Sequence, residues 1–151
     1  MKFNCSIVID LPKEKLVSLW QDESRFPHWQ KGFKSKQLIQ GNKGEKDAVS
    51  EIVLDFKGKD MILKETVVEN QLPDYKKVYV AHKHMCNFLT DQFESKGEHQ
   101  TVWTAEVEYT QFIGFLPKLM AKFFPSMFKK QVQKWLDDFK HYAEGLDTKD
   151  S

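Results

Sequence analysis

The chain is poor in cysteine, in arginine and in long apolar runs, and each scarcity removes a class of function. Two cysteines, Cys5 and Cys86, in 151 residues are too few for a disulfide framework, so two reduced thiols are expected. Arg25 is the sole arginine, and the net charge is +1. Bidentate recognition of phosphate or guanine relies on the planar guanidinium fork, and a charge-balanced chain has no general pull toward a polyanion. Nucleic acid is therefore excluded as a partner. No apolar run approaches the ~20 residues that a membrane-spanning helix requires. Residues 1–6 include alternating polar side chains rather than the continuous apolar core of a secretory signal, so a cytoplasmic location is expected. Serine-nucleophile motifs and phosphate-cradling glycine loops are lacking too: Gly41-Asn42-Lys43-Gly44 has the wrong spacing and follows no suitable βα turn. Hydrolase and nucleotide-binding functions drop out.

What remains is 40% hydrophobic and 30% charged, the balance of one ordinary folded domain, expected over residues 1–146 with a disordered polar tail over 147–151. Phe3, Cys5, Ile7 and Ile9 alternate with polar residues as a first strand with one buried face. Pro12 suits the first turn of a helix whose buried side is Leu16, Val17, Leu19 and Trp20. After a break at Asp22-Glu23-Ser24, Phe26-Pro27-His28-Trp29 reads as a second helical turn or ordered loop. Turn signals then separate strand-like runs at Phe33–Gln40, 48–56, 61–69, 76–84, 88–94 and Thr101–Phe112. Connections this short pair consecutive strands antiparallel.

Strand parity assigns an inner face. Trp103, Ala105, Val107 and Tyr109 point inward, as do Ser50, Ile52, Leu54 and Phe56. With 57–60 as a four-residue loop, Met61, Leu63, Glu65 and Val67 join them, and Val78, Val80 and His82 follow by contrast with Lys77 and Lys83. In 88–94 parity leaves two choices, Leu89, Asp91 and Phe93 or Phe88, Thr90 and Gln92.

The last stretch is helical. Phe128, Val132, Trp135, Leu136, Phe139, Tyr142 and Ala143 recur on one side, opposite Lys130, Gln133, Lys134, Asp137, Lys140 and His141. Leu116, Leu119, Met120 and Phe123 point about 150° away from that stripe at ~100° per residue, so one continuous helix cannot bury both. Pro125 resolves the conflict by ending one helix at Phe124 and opening another.

This order, with the opening Ser6-Ile7-Val8-Ile9-Asp10-Leu11-Pro12, Val17 and Trp20, the Arg25-Phe26-Pro27-His28-Trp29 segment, and the closing helix from Met127-Phe128-Lys129-Lys130 to Phe139, resembles the START-like helix-grip superfamily. That group includes polyketide cyclase/dehydrase-like, birch-pollen-allergen-type and coenzyme-Q-binding proteins. The resemblance implies an α+β fold, a seven-stranded antiparallel sheet wrapped around a long C-terminal helix, with two short helices after the first strand and an internal cavity for hydrophobic molecules. Its members share a scaffold and differ in chemistry, so function is argued from the site.

The expected role is binding or transport of a hydrophobic small molecule or lipid, without cofactor or metal, by a monomer or homodimer rather than by an enzyme. The cavity wall would comprise Val80, His82, Trp103, Tyr109, Phe128, Val132, Trp135 and Phe139. The mouth or lid would comprise Leu116, Leu119, Met120 and Phe123. Glu65 and His82, with Asp91 and Tyr109 converging on them, are the groups that a cofactor-independent cyclase or dehydratase would use for proton transfer. His82-Lys83-His84-Met85-Cys86 has metal-ligating composition, but no CxxC or HExxH accompanies it and a solvated strand end is expected instead. A third role is a membrane-surface or lipid-transfer adaptor acting through residues 115–124, where Lys118 and Lys122 flank apolar positions.

Overall fold

Alternation in the first strand has a direct structural outcome. In the computed structural model, which describes residues 1–149 and their side chains through Leu146, β1 (Lys2–Ile9) forms one edge of a seven-stranded antiparallel sheet. α1 (Lys13–Gln21), the 3-10 turn Glu23–Arg25 and α2 (Phe26–Trp29) then carry the chain to the opposite edge, where β2 (Phe33–Gln40) begins. Consecutive hairpins through β3 (Val49–Phe56), β4 (Lys59–Gln71), β5 (Tyr75–Ala81), β6 (Met85–Ser95) and β7 (Thr101–Phe112) return to β1. The strand order is β1-β7-β6-β5-β4-β3-β2. With α3 (Phe115–Phe123) and the long α4 (Pro125–Lys149) closing the chain, this is the helix-grip α+β architecture. α4 continues into the segment expected as a polar tail, whose last two residues lie outside the described ones. No helix of the described residues is long and apolar enough to cross a membrane.

One turn differs from expectation. β3 and β4 are joined by Lys57-Gly58 alone, not by four residues, and Phe56 pairs with Lys59. Both linking residues have positive φ, 52° and 81°, the geometry of the two-residue turn that matches strand twist. Two and four are both even, so the inner face is conserved: Ser50, Ile52 and Leu54 stand opposite Glu65, Leu63 and Met61. Gly32, at φ +83°, is needed for a second reason. A Cβ there would collide with the Asp55 carbonyl oxygen, where β2 meets β3.

The core lies between α4 and the β1–β7–β6 part of the sheet. Val132, Leu136, Phe139 and Ala143 form the buried stripe of α4, against Cys5, Ile9, Phe93, Trp103, Ala105 and Val107. Trp29 and Trp103 approach Phe139 edge-on, at ring distances of 4.9 and 5.5 Å. The sole arginine joins the layers, donating from Nε to Asp22 at 3.1 Å and from a terminal nitrogen to the Tyr142 hydroxyl at 3.0 Å. Cys5 and Cys86 are both buried free thiols.

The helical phase break falls at Pro125. α3 ends at Phe123, Phe124 leaves helical geometry with φ −131° and ψ 49°, and α4 starts with Pro125 in its first turn. Trp135 is the exception to the expected stripe, at 44% exposed. It lies about 70° from the Val132–Ala143 stripe at ~100° per residue. The opposite flank of α4 is held to β1 by Gln133 and Lys140, which donate to the Ser6 and Val8 carbonyls.

Candidate functional site

Antiparallel pairing brings the β3–β4 turn, the β5–β6 turn and the end of β7 to one end of the sheet, beside α3. α1, the Glu23–Arg25 turn and α2 pack toward the other end, Trp20 lying edge-on to Phe93 at 5.0 Å. Between these ends the inner face of β3–β6 presents Ile52, Leu54, Met61, Leu63, Val80 and Leu89. All six are only half-buried although they face inward. A row of inward apolar side chains that still reaches solvent is a candidate binding groove, with one end at α3.

The groove floor is charged. On β2, Lys36 sits opposite Ile52, and its amine reaches Glu65 at 3.2 Å and Glu23 at 3.7 Å. Lys36 and Glu65 side chains are 13% and 16% exposed, so this pair is largely desolvated and depends on its mutual geometry. Lys43 approaches the other oxygen of Glu23 at 3.5 Å. On β5, Lys76 stands directly opposite Asp91 of β6, which resolves the parity of that strand: Leu89, Asp91 and Phe93 are inside. Asp91 is buried and accepts a 2.9 Å hydrogen bond from the Trp103 indole.

Burial sets the electrostatics. Desolvation pushes the Asp91 carboxyl up to about 7, aided by the negative charge of Glu65 and opposed by the Trp103 hydrogen bond and Lys76. Desolvation pushes the Lys76 amine down, opposed by Glu65 and Asp91 and aided by Lys36. Tyr109, opposite Asn87 near the α3 end, has its phenol pushed up to about 12 by burial alone. It stacks with Phe112 and meets Phe128 edge-on, at 5.1 and 5.3 Å.

The expected site residues therefore occupy three settings. Trp103, Val132 and Phe139 are fully packed in the core. Val80, Tyr109 and Phe128 are half-buried, and Trp135 lies on the flank of α4 turned away from β1, with Phe128 and Tyr142. His82 is at the β5–β6 turn, where burial and the charges of His84 and Lys83 hold its imidazole below the usual range. Its ring meets His84 at 5.3 Å, whereas Glu65 meets Lys36; among the described residues no hydrogen bond or ion pair joins Glu65 to His82. Of the lid set, Leu116 and Phe123 are exposed while Leu119 and Met120 are half-buried.

Sequence reasoning missed Lys36, Lys76 and Glu23. Lys76 carried a usable signal, since it shares parity with Val78 and Val80. Two further clefts, of about 310 Å³ between α1 and the β4–β5 turn and about 370 Å³ between α2 and α4, lie apart from this floor.

No family model matches the sequence, and no curated protein matches it. Solved structures do. A START superfamily protein from Mycobacterium smegmatis is similar with a TM-score of 0.78 at 11% identity, over 96% of this chain and 98% of that one. The Zhui aromatase/cyclase from Streptomyces sp. R1128 is similar with a TM-score of 0.77 at 8% identity, over 95% and 93%. Ara h 8.0201, of the Bet v 1 allergen type, is similar with a TM-score of 0.69 at 11% identity, over 96% and 98%. At these identities the likeness establishes the fold, START/Bet v1-like, and leaves the chemistry to the side chains.

Proposed function

We propose that this protein binds and carries a hydrophobic small molecule or lipid in the groove between the sheet and α4, as a binding protein without cofactor. The observation that carries this reading is the inner face of β3–β6, where Ile52, Leu54, Met61, Leu63 and Val80 face inward yet remain half-buried beside a charged floor. Covering such a wall with an apolar chain is favourable by about 25 cal/mol per Å², and Lys36, Glu65, Lys76 and Asp91 would orient the polar end. Native mass spectrometry with decanol added tests it. A one-to-one complex is expected; failure to retain any decanol at saturating concentration would sink the reading.

The same reading gives α3 a role at a membrane surface. Phe115 is 81% exposed, and Leu116, Phe123, Phe124 and Met127 are exposed with it. Residues 109–136 contain Lys118, Lys122, Lys129, Lys130 and Lys134 and no Asp or Glu. The occupant that fits both features is an anionic bilayer, since apolar side chains insert while each lysine near the surface contributes about 1 kcal/mol. A second copy docked symmetrically would set lysines against lysines. Sedimentation with phosphatidylserine vesicles is expected to retain the protein at low salt and to lose it with Lys118→Glu plus Lys122→Glu. Absence of binding to these vesicles at low salt contradicts this role.

One observation favours a second reading, a cofactor-independent cyclase or dehydratase. Asp91, pushed up to about 7, has the pKa of a group that both gives and takes a proton near neutrality. An enzyme is distinguished from a carrier by turnover that Asp91→Asn abolishes while binding persists.

A further inference from the structure

Every charged group on the groove floor but one has a close partner. Lys36 is paired with Glu65 and Glu23, Lys43 with Glu23, and one Asp91 oxygen is held by the Trp103 indole. Lys76 is the exception: among the described residues its amine has no hydrogen bond and no carboxylate within ion-pairing distance, although it is half-buried and stands directly opposite Asp91. A lysine placed for stability alone would close on a neighbouring carboxylate, as Lys36 does at 3.2 Å. An unengaged amine beside a carboxyl with one oxygen still free is instead the pair of groups that carbonyl chemistry requires.

We propose that Lys76 captures a hydrophobic aldehyde or ketone in the groove as a reversible imine, with Asp91 as the proton donor and acceptor. This rests on the groove being a ligand site and names the class of ligand: an apolar chain ending in a carbonyl. The Lys76 nitrogen lone pair forms a bond to the carbonyl carbon, and the carbonyl π electrons move to oxygen, which takes up a proton to give a carbinolamine. That uptake is matched by one proton released from the nitrogen; the Asp91 carboxylic acid then delivers a second proton to the hydroxyl, the C–O bond breaks to expel water as the C=N bond forms, and the protonated imine returns its remaining N–H proton to the Asp91 carboxylate. The sum is amine plus carbonyl to imine plus water, with nothing oxidised or reduced. The surroundings suit each part. Burial and the charge of Lys36 favour the neutral amine, which is the nucleophile, against the opposing charges of Glu65, Asp91 and Glu23. The Asp91 acid is present in both protonation states near neutrality. Apolar residues Val78, Val80 and Leu89 flank the pair on the same face and would hold the chain of the carbonyl compound.

The test is decanal with cyanoborohydride, applied to the intact protein at about pH 6.5, where an ordinary lysine is almost wholly protonated. Intact mass and peptide mapping are read together. One added decyl group at Lys76 is expected, formed faster than at any surface lysine, absent in Lys76→Arg and slowed at least about tenfold in Asp91→Asn. The wild-type map decides the matter even if a variant fails to fold. Labelling spread over surface lysines with Lys76 no faster overturns the proposal, and so does an unmodified Lys76 in protein that retains decanol, an outcome that leaves the carrier reading standing. Labelling at Lys76 in protein that retains no decanol upholds the amine chemistry and removes the carrier reading.

Discussion

Replacing Asp91 by asparagine is expected to stabilise the protein above neutral pH and to change little below about pH 4. The carboxyl is raised from its ordinary 3.8 to about 7 by burial, so between these values the folded chain keeps a proton that the unfolded chain has released. Stability associated with the neutral acid is complete below the lower value and is lost as pH rises through the upper one. A shift of this size corresponds to a penalty on the order of 4 kcal/mol at about pH 8, at 1.36 kcal/mol per pKa unit. Asparagine does not ionise, and its carbonyl oxygen still accepts from the Trp103 indole, which now donates to Asp91 at 2.9 Å. Thermal unfolding of both proteins across pH 4 to about 8 checks this. The two curves should separate as pH rises, and parallel curves would show that Asp91 ionises in the fold as easily as in the unfolded chain.

Phe139→Ala is expected to destabilise the fold by about 3–5 kcal/mol, the range for removing a buried aromatic whose cavity cannot collapse. Phe139 is fully buried, with Trp29 and Trp103 edge-on against it, and three large rings have little freedom to close around an alanine. Trp135→Ala, one turn earlier on the same helix, is expected to cost clearly less, about 1–2 kcal/mol, because the residue is already 44% exposed. Chemical denaturation of the two variants separates a core position from a groove-flank position. Similar losses would contradict the assignment.

That contrast marks where residue pattern stops being informative. In β7, Trp103, Ala105 and Val107 are large or apolar at every second position and polar between, so the inner face of that strand was legible from alternation alone. The break at Pro125 was legible because two apolar stripes about 150° apart cannot share one sheet. Trp135 was not: an aromatic at the edge of a stripe follows helical spacing as well as one at its centre, and its exposure depends on which half of the sheet α4 covers. The charged floor was harder. β2 carries Lys34, Lys36, Leu38 and Gln40 with no apolar alternation, and the position of Lys36 depends on register shifts at both ends of that strand. Glu23 arrives from a turn that sequence pattern leaves undirected. Lys76 lies between a tyrosine and a second lysine, a local context that reads as solvent-facing. Its parity with Val78 and Val80 puts it inside.

The claim that joins fold to function is that the half-buried inner face of β3–β6 is where a hydrophobic molecule sits. Methyl NMR of the intact protein during a decanol titration tests it most directly. The expected result is a saturable set of shifts at Ile52, Leu54, Met61, Leu63 and Val80, with smaller changes at the α3 end. Shifts confined to Leu116, Leu119 and Met120, or no shifts that saturate, would contradict it.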